Sequence, residues 1–308
     1  MNKRTATDLQ SEPLYPEFLK QAHLDMVVSI DLKGATTMKM RLGDVKAPWI
    51  LQITDFYRDF PRYLTRAYQR APKYARTNGF RTSARLEPFM HRGDEILFRV
   101  ELSHHQQSVA HIHAVKLAIE EYNQEAKKCN RLECKGTAWL CGFPVTDFEA
   151  GIPQGEGKNA SIVRHYLGPS MDTGFRLAKV ARPRKIVVCC GLAIMLVDAL
   201  EAIRFHDTRL YMFYDGKQSL KGVLGEMPYP IIWVSVHDNS LSAHDQLKGY
   251  KREPCDFFAL REFCLEFQRE SGLDPWFIKS ERGTRYEGPD SIWFQKFLAL
   301  QEQLRKRK

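Results

Sequence analysis

Two aspartates stand where carboxylates often do chemistry. Asp31 comes directly after a mostly apolar stretch, residues 26–30, that is typical of a buried strand, and Asp94 lies in a Gly-Asp turn between two strand-like runs. A strand end and a neighbouring hairpin turn can bring two carboxylates close together, where they repel each other unless a cation joins them. Mg²⁺ or Mn²⁺ held in this way is a common means of in-line attack on phosphorus. Asp and Gly also end strands for structural reasons alone, so both interpretations stay open at this point.

The composition is that of a globular protein with a polyanionic partner. The chain has 308 residues, enough for one large domain or for a catalytic domain with extensions, and 44% of them are apolar. The formal net charge is +9, and residues 305–308 are all basic. Such a balance favours nucleic acid, a phosphate-rich nucleotide or a membrane surface as partner, and charge alone does not separate these three.

The cysteines and the apolar runs indicate a cytoplasmic protein without a membrane span. Seven cysteines are present, and none of them forms a Cys-x-x-Cys pair with zinc spacing, so we expect reduced thiols in a reducing compartment. The N-terminus lacks the apolar core of a signal peptide. The longest apolar run, which begins at Ile186, stops after about 15 residues, fewer than the roughly 20 that a membrane helix needs.

The hydrophobic pattern predicts the elements that position the two aspartates. The predicted order is typical of an α+β protein, an α/β sandwich with a mostly antiparallel sheet. In chain order, the predicted elements are a strand (26–31), a helix (48–71), two strands around the Gly-Asp turn, a long helix (103–123), a strand (134–145), a glycine-rich loop (149–161), a strand and a helix meeting at residue 168, a strand (184–190), a helix (192–203) and a closing hairpin (209–236).

The pattern changes beyond the closing hairpin. Two helical segments, 255–271 and 289–306, make up the end of the chain. We therefore divide the chain into three parts, which are an N-terminal segment (1–24), a catalytic domain (25–238) and a C-terminal helical extension (239–308). Because the apolar stripes of the extension need a partner, we expect the extension to brace a dimer.

Three motifs in this order resemble the class III nucleotidyl cyclases. The first is Asp31-Leu32-Lys33-Gly34-Ala35-Thr36, and the second is the Gly93-Asp94 hairpin. The third is a helix motif with Gly168 and Arg176-Leu177 in register, and Asp172 stands where the family has an asparagine.

The resemblance extends to the closing hairpin and covers about residues 25–236. Lys221 stands where the family's hairpin binds phosphate, with Lys217 close by in sequence. The two aspartates are 63 positions apart, a longer gap than is usual for the family. The resemblance implies a class III cyclase-like fold.

The same resemblance implies a two-metal mechanism in a homodimer. Asp31, Asp94 and the Leu32 carbonyl would bind two Mn²⁺ or Mg²⁺ ions. Arg176 would stabilise the charge that builds on the α-phosphate, and Asp172 would stand at the ribose-orienting position. Family members take this arginine from across a subunit interface, so a single-domain chain must pair with itself. Without the resemblance, Arg176 is a helix-surface arginine whose i+4 spacing from Asp172 allows an ordinary ion pair.

The base-reading positions depart from those of the purine cyclases. Met90 and His165 stand where adenylyl cyclases have a lysine and an aspartate, and where guanylyl cyclases prefer a glutamate and a cysteine. With both metal aspartates and Arg176 present, the chain is similar to the pyrimidine cyclases of bacterial Pycsar anti-phage systems. This similarity implies conversion of UTP or CTP to cyclic UMP or cyclic CMP, which activates a downstream effector encoded nearby. A hydrogen-bond donor at His165 favours UTP.

Two alternatives stay open. One is a purine cyclase with an unusual base pocket. The other is a non-catalytic protein that binds nucleotides or nucleic acid. The sequence shows no periodic basic helix and no array of aromatic residues for base stacking, so we expect no stable nucleic-acid partner.

Overall fold

The described part of the chain contains both strands and helices. The structure is a computed structural model that describes residues 23–40, 48–70, 84–144, 146–154, 161–203, 210–237 and 254–273, with isolated positions 299, 302, 303 and 306. In chain order the elements are β1 (His23–Leu32), α1 (Ala35–Met40), α2 (Pro48–Arg70), β2 (Glu87–Arg92), β3 (Glu95–Glu101), α3 (Gln107–Lys128), β4 (Cys134–Phe143), β5 (Phe148–Gln154), β6 (Ser161–Leu167), α4 (Pro169–Leu177), β7 (Lys185–Val188), α5 (Cys190–Ile203), β8 (Met212–Gln218), β9 (Tyr229–Ser235) and α6 (Phe257–Glu270).

A seven-stranded sheet forms the centre of the fold. Its strand order is β2-β3-β1-β4-β7-β9-β8, and β5 pairs with β6 in a separate two-stranded ribbon. In the seven-stranded sheet, β4 and β7 run parallel and every other neighbouring pair is antiparallel. The predicted fold class, an α+β sandwich with a mostly antiparallel sheet, is confirmed.

Strand β1 is an interior strand of this sheet, with β3 on one side and β4 on the other. Residues 24–30 of β1 are all buried, because β3 and β4 flank the strand and helices cover the sheet. Phe60 of α2 packs on Phe98 of β3, with ring centroids 5.8 Å apart, and Phe56 packs on Tyr122 of α3 at 5.6 Å. Asp31 therefore directly follows seven buried residues, one position before the end of the strand.

The first helix of the C-terminal extension packs on its own chain. Phe267 of α6 meets Tyr229 of β9 with ring centroids 5.3 Å apart, and Arg261 donates to the buried Asp198 of α5 at 2.7 Å. The apolar face of this helix therefore packs on α5 and the β8–β9 hairpin of its own chain. The expectation that the extension braces a dimer stays a prediction. The second predicted helix, at 289–306, lies almost entirely outside the described residues.

One local prediction is wrong. The predicted glycine-rich loop contains β5, because residues 149–154 pair antiparallel with β6. The predicted boundary between residues 238 and 239 lies outside the described ranges. Within those ranges, no helix combines the length and the apolar character that crossing a membrane requires.

Candidate active site

Asp31 lies near the C-terminal end of β1, where both neighbouring strands hold it. Asp31 pairs with Glu95 on one side and with Lys135 on the other, so neighbouring strands hold its backbone from both directions. The chain then turns at Gly34, whose φ of 84° is a conformation that glycine adopts without steric cost. The turn leads directly into α1, and both Asp31 and Gly34 line a cavity at this end of β1.

The hairpin turn between β2 and β3 places Asp94 beside the same strand end. Gly93 has a φ of 65°, which suits glycine in a tight turn. The hydroxyl of Tyr57 on α2 donates to the Gly93 carbonyl at 2.6 Å, and the Leu32 N–H donates to the Asp94 carbonyl at 3.1 Å. Asp31 and Asp94 consequently line one cavity of about 520 Å³.

Each of the two carboxylates is paired with a lysine. Lys39 Nζ lies 3.0 Å from Asp94 Oδ1, and Lys135 Nζ lies 3.2 Å from Asp31 Oδ2. Burial raises the pKa of Asp31 to about 6, Lys135 opposes that rise, and the negative charges of Asp94 and Glu95 add to it. Asp31 therefore lies in a position where an additional cation would stabilise its ionised form.

The donor set fits a hard divalent cation. Among the described residues, no group of three or more His, Cys, Asp or Glu side chains is arranged to hold a metal ion. Asp31, Asp94 and Leu32, the residue after Asp31, instead line one cavity, and their carboxylates and carbonyl could offer a metal ion oxygen ligands. Oxygen ligands are those that Mg²⁺ and Mn²⁺ prefer, and both ions keep bound water or substrate phosphate as further ligands.

Helix α4, which carries Asp172 and Arg176, is anchored at its start by a distant carboxylate. Asp147 Oδ1 accepts from the backbone N–H of Ser170 at 3.1 Å and of Met171 at 3.3 Å. These are two of the N–H groups that a helix start leaves without a partner. The buried Asp147, rather than a residue next to the helix, therefore fixes where α4 begins.

The middle of α4 lies directly against β4. A Cβ atom added to Gly174 would lie 2.2 Å from the nearest ring atoms of the buried Trp139. We expect Gly174→Ala to lower the free energy of unfolding by about 1–3 kcal/mol, even though alanine favours helix, because the indole has no room to move aside. Urea unfolding of this variant beside Thr173→Ala, which is expected to change stability by less than about 0.5 kcal/mol, tests the expectation. A Gly174→Ala protein as stable as the wild type would contradict the close packing.

Asp172 and Arg176 do not form the ordinary ion pair that their spacing allows. Both residues are described, and neither makes an ion pair or a side-chain hydrogen bond within the described part of the chain. Asp172 is exposed and lines a second cavity of about 550 Å³, and Arg176 is half-buried. A half-buried guanidinium without a carboxylate partner is suited to meeting an anion from outside the chain.

The second cavity is distinct from the one that Asp31 and Asp94 line, and it reaches the other end of β1. It is lined by Leu24 and Gly142, which pair with each other in β1 and β4, whereas the first cavity is lined by the paired Asp31 and Lys135. These two pairs are seven residues apart along each strand, or about 24 Å. Within one chain, Asp172 and Asp31 therefore do not share a cavity.

The two candidate phosphate lysines, Lys217 and Lys221, are both exposed. Lys221 lies in the turn between β8 and β9, beside Gly222, which lines the second cavity. Lys217 instead lies over the rings of Phe263 and Phe267 of α6, 5.6 Å from each centroid.

The two predicted base-reading residues lie on strands that meet. Met90 is on β2 and His165 is on β6, and both are half-buried. Their sequence neighbours Phe89 and Tyr166 contact each other with ring centroids 4.9 Å apart. Neither Met90 nor His165 lines the cavity that Asp31 and Asp94 line.

Sequence reasoning missed Lys39, Lys135 and Asp147. Each acts on a residue far away in the chain, since the contacts join Lys39 to Asp94, Lys135 to Asp31 and Asp147 to the start of α4. The one signal available for Lys135 was its position in a predicted buried strand, where a lysine needs a charged partner.

Comparison with known proteins gives distant structural similarities only. No protein-family model matches the chain, and no curated protein matches it. The adenylyl cyclase CyaB from P. aeruginosa superposes with a TM-score of 0.48 and 12% identity, over 72% of this chain and 98% of that chain. The adenylate/guanylate cyclase/hydrolase from Silicibacter pomeroyi gives a TM-score of 0.41 and 12% identity, over 71% and 99% of the two chains. The guanylate cyclase domain of RhGC from Catenaria anguillulae gives a TM-score of 0.37 and 12% identity, over 69% of this chain and 96% of that chain. Each of these three TM-scores is below 0.5, so a functional assignment has to rest on the residues of the site.

Proposed function

We propose that this chain is a nucleotide cyclase that converts a pyrimidine nucleoside triphosphate, UTP or CTP, to its 3′,5′-cyclic monophosphate and pyrophosphate. The observation that carries the proposal is the placement of Asp31 and Asp94 on the wall of one cavity, at a strand end and a hairpin turn joined by a main-chain hydrogen bond. Two neighbouring carboxylates offer a divalent metal ion the oxygen ligands that chemistry at phosphorus uses.

In the proposed reaction the substrate's 3′-oxygen attacks its own α-phosphorus. The bond from that phosphorus to the bridging oxygen breaks, pyrophosphate leaves, and the hydroxyl proton passes to water. Asp31, Asp94 and the Leu32 carbonyl would hold two Mn²⁺ or Mg²⁺ ions. When bound, the ions would lower the pKa of the attacking hydroxyl and neutralise the negative charge on the leaving pyrophosphate. Arg176 stabilises the charge on the pentavalent phosphorus, Asp172 orients the ribose, and Lys221 binds phosphate.

The proposed assembly is a homodimer with shared sites. Asp172 and Asp31 line two different cavities of one chain. An active site that uses both residues is therefore proposed to take them from two chains. The β5–β6 ribbon also exposes four large apolar side chains, those of Phe148, Ile152, Ile162 and Leu167. Exposed apolar surface of this kind favours burial against a partner.

The proposed preference for a pyrimidine rests on Met90 and His165. Neither side chain supplies the charged group that a purine site pairs with the ring edges, so a bound purine would bury polar atoms without partners, at about 1–3 kcal/mol each. A pyrimidine has a smaller ring and fewer such atoms. A cyclic pyrimidine nucleotide would serve as a second messenger in anti-phage defence and activate an effector encoded nearby.

A competition assay tests the choice of base. With equal ATP, GTP, CTP and UTP, we expect turnover of a pyrimidine triphosphate at least tenfold faster than that of either purine, a ratio that needs about 1.4 kcal/mol. Mass spectrometry of the cyclic products gives the answer, and UTP is expected to exceed CTP. Predominant cyclic AMP or cyclic GMP would contradict the pyrimidine preference and favour the purine cyclase, with the metal chemistry unchanged.

A further inference from the structure

Both metal carboxylates are already paired with lysines from the same chain. Lys39 belongs to α1 and Lys135 to β4, so the two ammonium groups come from different elements of the fold. Their nitrogen atoms lie 3.0 Å and 3.2 Å from the carboxylates of Asp94 and Asp31. Because each lysine stands beside an oxygen that a metal ion would use, a metal ion and the lysine compete for the same carboxylate.

Both lysines are held in place by further contacts. Lys135 also donates to the Ala178 carbonyl, at the end of α4, at 3.1 Å, and its side chain is only 15% exposed. The Lys39 ammonium lies 5.8 Å from the ring centroid of Trp49. In such partly buried pairs, water and salt screen the attraction between the two charges less than in freely exposed pairs.

The cavity carries more cationic than anionic side chains. Besides Lys135, three exposed basic residues line it, namely Lys33, Lys179 and Arg182, and none of these three makes an ion pair within the described part of the chain. The third lining carboxylate, Asp215, pairs with the buried Lys185 at 3.0 Å. Two divalent cations entering alone would therefore join a cavity that is already positive, whereas a polyphosphate brings the missing negative charge.

We infer that Lys39 and Lys135 are built-in counter-cations that keep the two carboxylates neutralised until a polyphosphate arrives, so that divalent metal binds together with the polyphosphate and only weakly without it. This inference rests on the proposed metal site. On metal binding each ammonium group exchanges its carboxylate for a phosphate oxygen in the same cavity. The lysines thereby prevent the site from filling with metal in the absence of substrate.

Equilibrium dialysis of the full chain against Mn²⁺ tests the inference without measuring activity. Protein-bound Mn²⁺ is the excess in the protein chamber, with inorganic triphosphate absent or present at equal concentration on both sides. Without triphosphate, we expect Lys39→Met and Lys135→Met to bind Mn²⁺ at least tenfold more tightly than the wild type. Lys39→Arg and Lys135→Arg should bind as weakly as the wild type. Triphosphate should tighten Mn²⁺ binding at least tenfold in the wild type and less in the methionine variants.

Lys179→Met is the matched control, because Lys179 lines the same cavity without pairing with a carboxylate. Its Mn²⁺ affinity should stay within threefold of the wild type. Suppose that the wild type binds Mn²⁺ measurably and that the methionine variants of Lys39 and Lys135 bind it no more tightly than Lys179→Met. That result would overturn this inference and leave the proposed function standing. Absence of Mn²⁺ binding in every protein, with and without triphosphate, would instead remove the metal site on which both proposals rest. Lys39 is partly exposed, so its variant gives a result even if Lys135→Met fails to fold.

Discussion

Replacing Asp31 or Asp94 with alanine is expected to lower cyclic nucleotide formation at least a thousandfold, about 4 kcal/mol of transition-state stabilisation. Each substitution removes one of the two carboxylates on the cavity wall and leaves a single carboxylate to hold the ions. The fold should remain intact, because the Asp94 contact that joins the hairpin to β1 is made by its backbone carbonyl. Turnover with Mn²⁺, together with thermal unfolding followed by circular dichroism, separates loss of chemistry from loss of structure.

Asp59→Ala provides the matched control for this experiment. Asp59 lies on α2 and its carboxylate pairs with Arg58 at 2.8 Å, outside the cavity. An ion pair of this exposed kind contributes little, so both turnover and stability should match the wild type. Near-wild-type turnover in the Asp31 or Asp94 variant would show that the two carboxylates do not hold the catalytic ions.

Mixing two inactive variants is expected to restore activity. Asp31→Ala lacks a metal ligand and Arg176→Ala lacks the group that stabilises the phosphorus, and these residues act across the interface in the proposed homodimer. Random exchange makes half of the dimers mixed, and each mixed dimer has one intact site of two, so turnover should recover to about a quarter of the wild-type value. The measurement is turnover of the mixture compared with each variant alone.

The control mixture combines Asp31→Ala with Asp94→Ala. Both residues line the same cavity of one chain, so a mixed dimer of these variants contains no complete metal site and should stay inactive. If the first mixture also stays inactive, although heterodimers are shown to form, each site draws on a single chain and the shared arrangement is wrong.

Local patterns predicted the part of the fold that holds the two aspartates. The apolar run before Asp31 and the two strand-like runs around Gly93-Asp94 each determine their own structure, and the antiparallel sheet follows from their order. β5 was missed because Gly151 and Pro153 disfavour a strand, whereas pairing with β6 overrides that local preference.

Long-range contacts could not be predicted from the sequence. Lys135 meets Asp31, and Asp147 meets the first N–H groups of α4, only after the sheet has brought distant segments together. The same limit explains why the packing partner of α6 was not foreseen. Its apolar stripe was visible in the sequence, but its partner turned out to be Tyr229 and α5 of the same chain.

The most direct test is incubation of the pure protein with each of the four nucleoside triphosphates and Mn²⁺, with the products identified by mass. We expect a 3′,5′-cyclic pyrimidine monophosphate and pyrophosphate from UTP or CTP, and no such product from the Asp31→Ala protein. Absence of a cyclic nucleotide from all four triphosphates, with a folded dimer and bound Mn²⁺, would contradict the proposal that this chain is a cyclase.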